Sequence, residues 1–143
     1  MGSKLGGYCA ACTRSFASGE LDPKAAEIYE VTLEAQLEAL DGIRAGVSAS
    51  GVDRIARDII DRAGFGEHFG HGLGHGVGIE IHEAPRLGPR SEDLLMAGDV
   101  VTVEPGIYLP GEAGLRIEDM VVVGEDRISR NFSTLDKKLT QAV

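Results

Sequence analysis

The chain has 143 residues, of which 43% are apolar, enough to form the core of one domain. Its net charge of -9 and sequence pI near 4.8 argue against a basic surface for nucleic acid or an anionic membrane. No apolar run approaches the roughly 18 residues that span a bilayer, and the N-terminal stretch lacks an apolar segment of signal-peptide length. Since two cysteines also make no disulfide framework, we expect a cytoplasmic protein.

The Gly-rich N-terminal stretch MGSKLGGYCAACTRSF predicts one short strand. Cys9 and Cys12 form a CxxC pair, which would act as a redox or zinc pair at a helix N-terminus or beside a second cysteine pair. The sequence offers neither, and Tyr8 and Phe16 favour a strand, where residues three apart point to opposite faces. We interpret the two cysteines as unrelated small side chains.

The first helix is predicted from an Asp-Pro pair. Asp22 can cap a helix, and Pro23 suits its first position. Apolar residues then recur at helical spacing to about Arg44, and Gly46 is the predicted stop.

A second helix is predicted to begin at Ser48 or Ser50 and to end at Gly64. Residues 64–78 then contain seven glycines and three histidines. Apolar patterns predict later strands at 77–81, 100–109, 115–123 and 127–132. This order predicts a single α+β domain with an antiparallel sheet and two helices on one face.

Three of the four histidines share one glycine-rich stretch, GHGLGHGVGIEIHE. They are His71, His75 and His82. Imidazole is a common ligand for zinc, iron and similar ions, and glycine lets the backbone approach a ligand closely. A polar loop that happens to be rich in histidine is the alternative. Acidic residues inside the apolar strands that follow favour a site.

Two glutamates interrupt these apolar strands: Glu104 in VVTVEPGIYL and Glu118 in LRIEDMVVV. A buried carboxylate is costly unless it is paired or binds a metal. Alternation puts Thr102 on the face of Glu104, and Arg116 on the face of Glu118. A short loop between the strands could bring the carboxylates together, where a divalent cation would offset their repulsion. The other reading is a polar strand face exposed to water, and the pattern alone leaves both open.

The stretches HGLGHGVGIEIHEAPRLGP and VVTVEPGIYLPGEAGLRIEDMVVV resemble the signature of the pita-bread metallopeptidases, within them the Xaa-Pro dipeptidase and aminopeptidase P branch. The resemblance covers nearly the whole chain. It implies the second half of a pita-bread (creatinase/aminopeptidase-like) fold, with a curved antiparallel sheet and two helices on one face. It also implies metal-dependent hydrolysis of Xaa-Pro bonds in proline-containing peptides, with Mn, Co or Zn.

The same resemblance implies the metal ligands. His75, the second histidine of HGLGH, would be a ligand, as would Glu104 of VEPG and Glu118 of RIED. Glu118 would bridge two metals, and Glu104 would also be the general base toward the attacking water. Such metals activate water and polarise the scissile carbonyl.

Substrate contacts are implied at three further positions. His71 and His82 would contact the substrate and stabilise the tetrahedral intermediate by donating to its negative charge. Arg116 would hold Glu118 or the end of the substrate.

The chain departs from the family at two aspartate ligands, which come from the patterns D-x-G and G-Y-x-x-D-x-T-R. Here the second pattern reads GYCAACTR, with Ala11 at the aspartate position, and the first aspartate would fall just before Met1. The preceding half of the fold is also expected to be absent, so that residues 1–143 would be a partial catalytic domain. We therefore expect at most one well-bound ion and impaired activity.

A half-fold should expose apolar surface, so we expect a homo-oligomer or pairing with the missing half. Two further hypotheses stand beside the peptidase: a non-catalytic, peptidase-like binding module, and a half-unit that assembles with a copy of itself.

Overall fold

The computed structural model describes residues 1–142. Three short strands come first: β1 (Gly2–Leu5), β2 (Tyr8–Ala11) and β3 (Phe16–Ser18). Two helices follow: α1 (Pro23–Asp41) and α2 (Ala49–Arg62). The remaining strands are β4 (Gly74–Gly76), β5 (Glu83–Leu87), β6 (Val100–Val103), β7 (Gly106–Leu109), β8 (Ala113–Arg116), β9 (Asp119–Val123), β10 (Ile128–Asn131) and β11 (Thr140–Ala142). Within residues 1–142, neither helix combines the length and apolar character needed to cross a membrane.

The central sheet has five antiparallel strands in the order β10-β9-β6-β4-β5. Helix α1 packs against α2 and β8, and α2 packs against β5. The buried core joins apolar residues of both helices to those of β6 and β9, such as Ile28, Ile60, Val101 and Val121. The α+β class predicted from the order of elements is confirmed.

Helix α1 begins where it was predicted. The Asp22 carboxylate accepts hydrogen bonds from the backbone N–H groups of Lys24 at 2.8 Å and Ala25 at 3.3 Å. The helix ends at Asp41, earlier than the predicted Arg44. The following residue is Gly42, where an added Cβ would lie 2.5 Å from the Ile55 side chain of α2. The close approach of the two helices therefore requires a residue without a side chain at position 42.

Helix α2 resolves the choice between two serines. Ser48 is the N-cap, and its hydroxyl accepts the Gly51 N–H at 3.1 Å. The helix ends at Arg62, and Gly64 follows with a φ of 86°, the left-handed conformation that favours glycine.

The prediction of one N-terminal strand is wrong. Strands β1 and β2 form an antiparallel hairpin that turns at Gly6 and Gly7, with φ values of 59° and 92°. Strand β3 lies outside this hairpin and pairs in parallel with β11 near the other end of the chain. The glycine pair, which the sequence shows, makes the turn that divides the stretch.

The strand predicted from Val77 onward is also wrong, because residues 77–82 form a loop between β4 and β5. The Gly78 N–H donates to the Glu80 carbonyl at 3.1 Å. The Glu80 N–H donates to the Glu83 carboxylate at 3.1 Å. These bonds turn the chain back into β5, so alternating apolar residues here do not mark a strand.

The long strands predicted at 100–109 and 115–123 are each broken in two. The first breaks at Glu104 and Pro105, between β6 and β7, and the second breaks between β8 and β9. The Glu104 N–H leaves the ladder and donates to the Leu73 carbonyl at 2.7 Å. Strands β6 and β9 belong to the central sheet, whereas β7 and β8 form a separate hairpin. The strand predicted at 127–132 is β10.

Candidate metal centre and active site

The two strand breaks bring the two glutamates opposite each other. Val103 pairs with Asp119 in the central sheet, and Gly106 pairs with Arg116 in the separate hairpin. Both pairs keep the same antiparallel register, which sets Glu104 across from Glu118. Both glutamates are buried. The prediction that the two strands bring these carboxylates to one place agrees with this register.

His75 lies against Glu104. Its Nε2 is 3.0 Å from Glu104 Oε1, and its Nδ1 is 3.0 Å from the Gly76 carbonyl oxygen. Because a carbonyl only accepts, Nδ1 carries a proton and donates it to Gly76. Thr102, on the predicted face, donates to Glu104 Oε1 at 3.1 Å and accepts the His75 N–H at 3.0 Å. The imidazole and carboxylate are thereby fixed with respect to each other.

Each partner shifts the pKa of the other toward its charged form. Burial favours neutral imidazole, but the hydrogen bond and negative charge of Glu104 outweigh it and raise the pKa of His75. Burial also opposes ionisation of Glu104, but His75 and then Arg116 lower the pKa of that carboxyl. The His75 imidazole and the Arg116 guanidinium thus contact the carboxylate where a metal cation is predicted.

Glu118 is held from the N-terminal part of the chain. Its Oε2 accepts a hydrogen bond from the Thr13 hydroxyl. Its backbone N–H donates to the Thr13 carbonyl at 3.1 Å, and its own carbonyl accepts Arg14 Nη1 at 2.8 Å. Arg14 also pairs with the buried Asp119 at 2.7 Å. Sequence reasoning gave neither Thr13 nor Arg14 a role, although both close the G-Y-x-x-D-x-T-R pattern.

The two other predicted histidines line the same cleft as His75 and Glu104. The rings of His82 and His75 are 4.3 Å apart between centroids in an edge-on arrangement. His71 donates through Nδ1 to the Gly72 carbonyl at 2.8 Å, and its Nε2 is 3.2 Å from the Tyr108 hydroxyl. Tyr108, which sequence reasoning missed, follows the VEPG motif, and burial raises its pKa.

Arg116 contacts Glu104 rather than Glu118. Its Nη1 is 3.1 Å from Glu104 Oε2, whereas the sequence led us to expect that it would hold Glu118 or the end of the substrate. The register explains this contact, because Arg116 lies diagonally across the ladder from Glu104. Its buried Nε has no hydrogen-bond partner within residues 1–142, so this side chain retains donor capacity.

A cleft of about 890 Å³ unites most of the predicted residues. His71, His75, His82, Glu104 and Arg116 all line it. Glu118 is absent from the lining among the described residues. The volume is within the range of pockets that bind small ligands, about 300–1,000 Å³.

The donors have the chemistry of a divalent-cation site. An imidazole with its other nitrogen bonded to a backbone carbonyl is a typical metal ligand, and the facing carboxylate adds an oxygen donor. However, the part of the chain described, 1–142, contains no group of three His, Cys, Asp or Glu side chains arranged so that it could hold a metal ion. Glu118 binds Thr13 instead of completing the set, so the three-ligand site stays a prediction.

Known proteins are similar to this chain in sequence and in fold. A Xaa-Pro dipeptidase of Pyrococcus furiosus is 45% identical over 134 residues, which are 94% of this chain and 38% of that protein. The structure of a Xaa-Pro dipeptidase from Bacillus anthracis matches with a TM-score of 0.93 and 47% identity, covering 95% of this chain and 38% of that one. The structure of an X-Pro aminopeptidase from Thermotoga maritima matches with a TM-score of 0.94 and 41% identity, covering 99% of this chain and 40% of that one.

The chain spans less than half the length of these relatives. Its fold is the predicted α+β pita-bread arrangement of Xaa-Pro peptidases, with two helices and antiparallel sheets. Residues 1–125 match the model of metallopeptidase family M24. The chain therefore belongs to metallopeptidase family M24.

Proposed function

We propose that this chain forms part of a metal-dependent peptidase that hydrolyses Xaa-Pro bonds in proline-containing peptides. The observation that carries the proposal is the His75–Glu104 pair, whose Nε2 and Oε1 atoms lie 3.0 Å apart in the wall of the cleft. Relatives named Xaa-Pro dipeptidase and X-Pro aminopeptidase support the substrate class.

The proposed ligands of a divalent metal are His75, Glu104 and Glu118, and Mn, Co or Zn suits this donor set. Such an ion lowers the pKa of water and polarises the scissile carbonyl. Glu104 takes the proton from the attacking water, because its carboxylate is ionised and opens on the cleft. Thr102 keeps one of its oxygens fixed while this happens.

The proposed substrate contacts are His71, His82 and Arg116, all in the cleft lining. A histidine that donates a proton or a hydrogen bond stabilises negative charge on the scissile oxygen. The Arg116 side chain is 40% exposed and lines the cleft, so its guanidinium can donate to an anionic group, which supports its assignment to the end of the substrate.

Ala11 limits the proposed site. A methyl group cannot bind a metal, and Ala11 lies two residues before Thr13, which contacts Glu118. We therefore propose at most one well-bound ion and weak activity for the chain by itself. The same substitution favours the second candidate function, a non-catalytic peptidase-like binding module.

We further propose that residues 1–143 form one part of a larger catalytic domain, as supported by their 38% coverage of the Pyrococcus furiosus relative. Pairing with a second copy or with a separate polypeptide is proposed from the exposed apolar residues of the N-terminal strands. A cytoplasmic location is proposed because Cys9 and Cys12 are free thiols, and cell fractionation tests it.

The activity is tested in a chimera. The segment of the Pyrococcus furiosus dipeptidase that precedes the matching region is joined to residues 1–143 carrying Ala11→Asp. We expect hydrolysis of a Xaa-Pro dipeptide with added Mn, and a loss of about 10²–10⁴-fold on Glu104→Gln, which removes the general base. A folded chimera that fails to hydrolyse the dipeptide would contradict the proposal.

The matched control is Ala10→Asp, which adds the same charge on the opposite face of β2 and should restore nothing. Equal activity with unmodified Ala11 would refute the impaired site and the binding-module alternative together. Native mass spectrometry of the 143-residue chain after dialysis against Mn should find no more than one ion per chain. Two retained ions would overturn that limit.

A further inference from the structure

The loop that carries His71 has little structure of its own. A single 3₁₀ turn, Gly66–His68, opens it, and β4 begins only at Gly74. Within it, Gly70 and Gly72 flank His71. Glycines add no side-chain contacts, so this loop needs support from its surroundings.

That support comes from an ion pair on α2. Asp53 is 1% exposed, and its two carboxylate oxygens accept Arg57 Nε at 2.9 Å and Nη2 at 3.0 Å. Asp53 Oδ1 also accepts the backbone N–H of Leu73 at 3.0 Å. One end of the loop is therefore attached to a buried carboxylate.

Arg57 attaches the rest of the loop. Its Nη1 donates to the Phe69 carbonyl at 3.0 Å, and its Nη2 donates to the His71 carbonyl at 2.8 Å. The guanidinium also stacks over the Phe69 ring at 4.3 Å, and that ring lies edge-on to the His71 ring at 5.1 Å. Together, the Asp53–Arg57 pair bonds backbone groups on both sides of Gly70 and Gly72.

We propose that Asp53 and Arg57 are positioning residues that hold His71 toward the cleft, an inference that rests on the substrate role proposed for His71. Arg57 suits this role because its planar guanidinium presents several donors in a fixed geometry. It binds a carboxylate on one edge while its remaining N–H groups reach two carbonyls. A lysine ammonium keeps the charge but cannot satisfy these acceptors at once.

Two variants test the proposal. Arg57→Lys keeps the positive charge and removes the planar guanidinium with its several N–H donors. Because an unpaired buried Asp53 could unfold that variant, Asp53→Asn with Arg57→Met removes both charges and keeps an oxygen for the Leu73 N–H. The matched control is Arg62→Lys, which changes an exposed arginine of the same helix whose Nε donates to the Asp58 carbonyl.

The main readout needs no activity. In the unmodified chain, NMR should show a nuclear Overhauser contact between the His71 and Tyr108 rings, whose centroids are 5.6 Å apart. We expect this contact to be lost in both variants. The contact between the His75 and His82 rings should persist, because the bonds described for Asp53 and Arg57 involve neither of these histidines.

Amide exchange gives a second readout. Since Arg57 orients the Asp53 carboxylate, Arg57→Lys should speed exchange at Leu73 by about tenfold to hundredfold. Arg62→Lys should leave the ring contact and the exchange rate unchanged. A folded Asp53→Asn, Arg57→Met variant that keeps the His71–Tyr108 contact would overturn the proposal.

In the active chimera, a double-mutant cycle separates positioning from general stability. Arg57→Lys should lower kcat/KM in the His71 background and have little effect once His71→Ala is present. Equal losses in both backgrounds would overturn the proposal. If the chimera is inactive, the proposed peptidase function fails, while the NMR result still decides whether the pair positions His71.

Discussion

The Thr102 hydroxyl connects the two residues at the centre of the candidate site. It accepts the backbone N–H of His75 at 3.0 Å and donates to Glu104 Oε1 at 3.1 Å, and it is fully buried. Because the hydroxyl is fully buried, water cannot replace either hydrogen bond when the hydroxyl is removed. The hydroxyl therefore keeps the imidazole and the carboxylate in register before any ligand binds.

We expect Thr102→Val, which is nearly isosteric, to weaken Mn binding by about 10–100-fold, as is typical when a residue that orients a metal ligand is lost. It should also lower the free energy of unfolding by about 1–3 kcal/mol, because a buried N–H loses its acceptor. Titration calorimetry and urea unfolding measure the two effects. Thr102→Ser keeps the hydroxyl and should bind Mn nearly as the unmodified chain does. Equal Mn affinity of the Thr102→Val and Thr102→Ser variants would contradict the orienting role of the Thr102 hydroxyl.

Contacts at the residue scale were predictable only where they follow strand alternation. The shared face of Thr102 and Glu104 was read correctly from their spacing of two. The Thr13–Glu118 contact joins residues 105 positions apart, and no local pattern specifies it. The bond between Arg57 and the His71 carbonyl likewise depends on how α2 meets a glycine-rich loop.

At the scale of elements, the hydrophobic pattern found the strand regions within residues 100–132 but not the breaks within them, and it missed β4 and β5. The runs at 100–109 and 115–123 return to apolar residues after Glu104 and after Glu118, so the pattern continues across both glutamates. The breaks arise because the Glu104 N–H bonds the Leu73 carbonyl and the Glu118 N–H bonds that of Thr13. Both carbonyl partners are distant in sequence from the glutamates, so these are tertiary contacts that a local pattern does not predict. Helix starts were easier, since a capping side chain and its N–H partner are neighbours in sequence.

The first turn of α2 offers a test with two serines. Ser48 accepts the Gly51 N–H, whereas Ser50 lies inside the first turn. Ser48→Ala should lower the free energy of unfolding by about 1 kcal/mol, because the cap is lost. Ser50→Ala should have little effect, since alanine suits a helix at least as well. Urea unfolding of the two variants measures the difference. A larger loss from Ser50→Ala would show that the helix begins differently.

At the scale of the whole molecule, the two ends of the chain meet at one buried carboxylate. Asp119 accepts Arg14 Nη2 from the N-terminal part and Lys137 Nζ from the C-terminal part, each at 2.7 Å. Asn131 donates to it as well, at 2.8 Å. The α+β class followed from the order of elements, but this closure did not, because charges distributed along a sequence do not identify their partners.

The N-terminal strands are poorly covered. The β1–β2 and β3–β11 pairs are separate two-stranded sheets, outside the central sheet. Isolated two-stranded sheets are marginal in water, and their open edges can pair with another chain. They also carry large exposed apolar residues: Leu5 is 87% exposed, Tyr8 66% and Phe16 68%. Burying each such side chain would contribute about 1.5–3 kcal/mol, which favours association.

We therefore expect the 143-residue chain to self-associate at micromolar concentration, as measured by light scattering. Tyr8→Glu with Phe16→Glu should shift it toward the monomer, because a charge on this surface opposes its burial in a contact between copies. The matched control is Leu37→Glu, at a residue of α1 that is 48% exposed, and it should leave association unchanged. A monomeric unmodified chain would contradict the expected association. Equal dissociation by the Leu37→Glu control would place the association surface elsewhere.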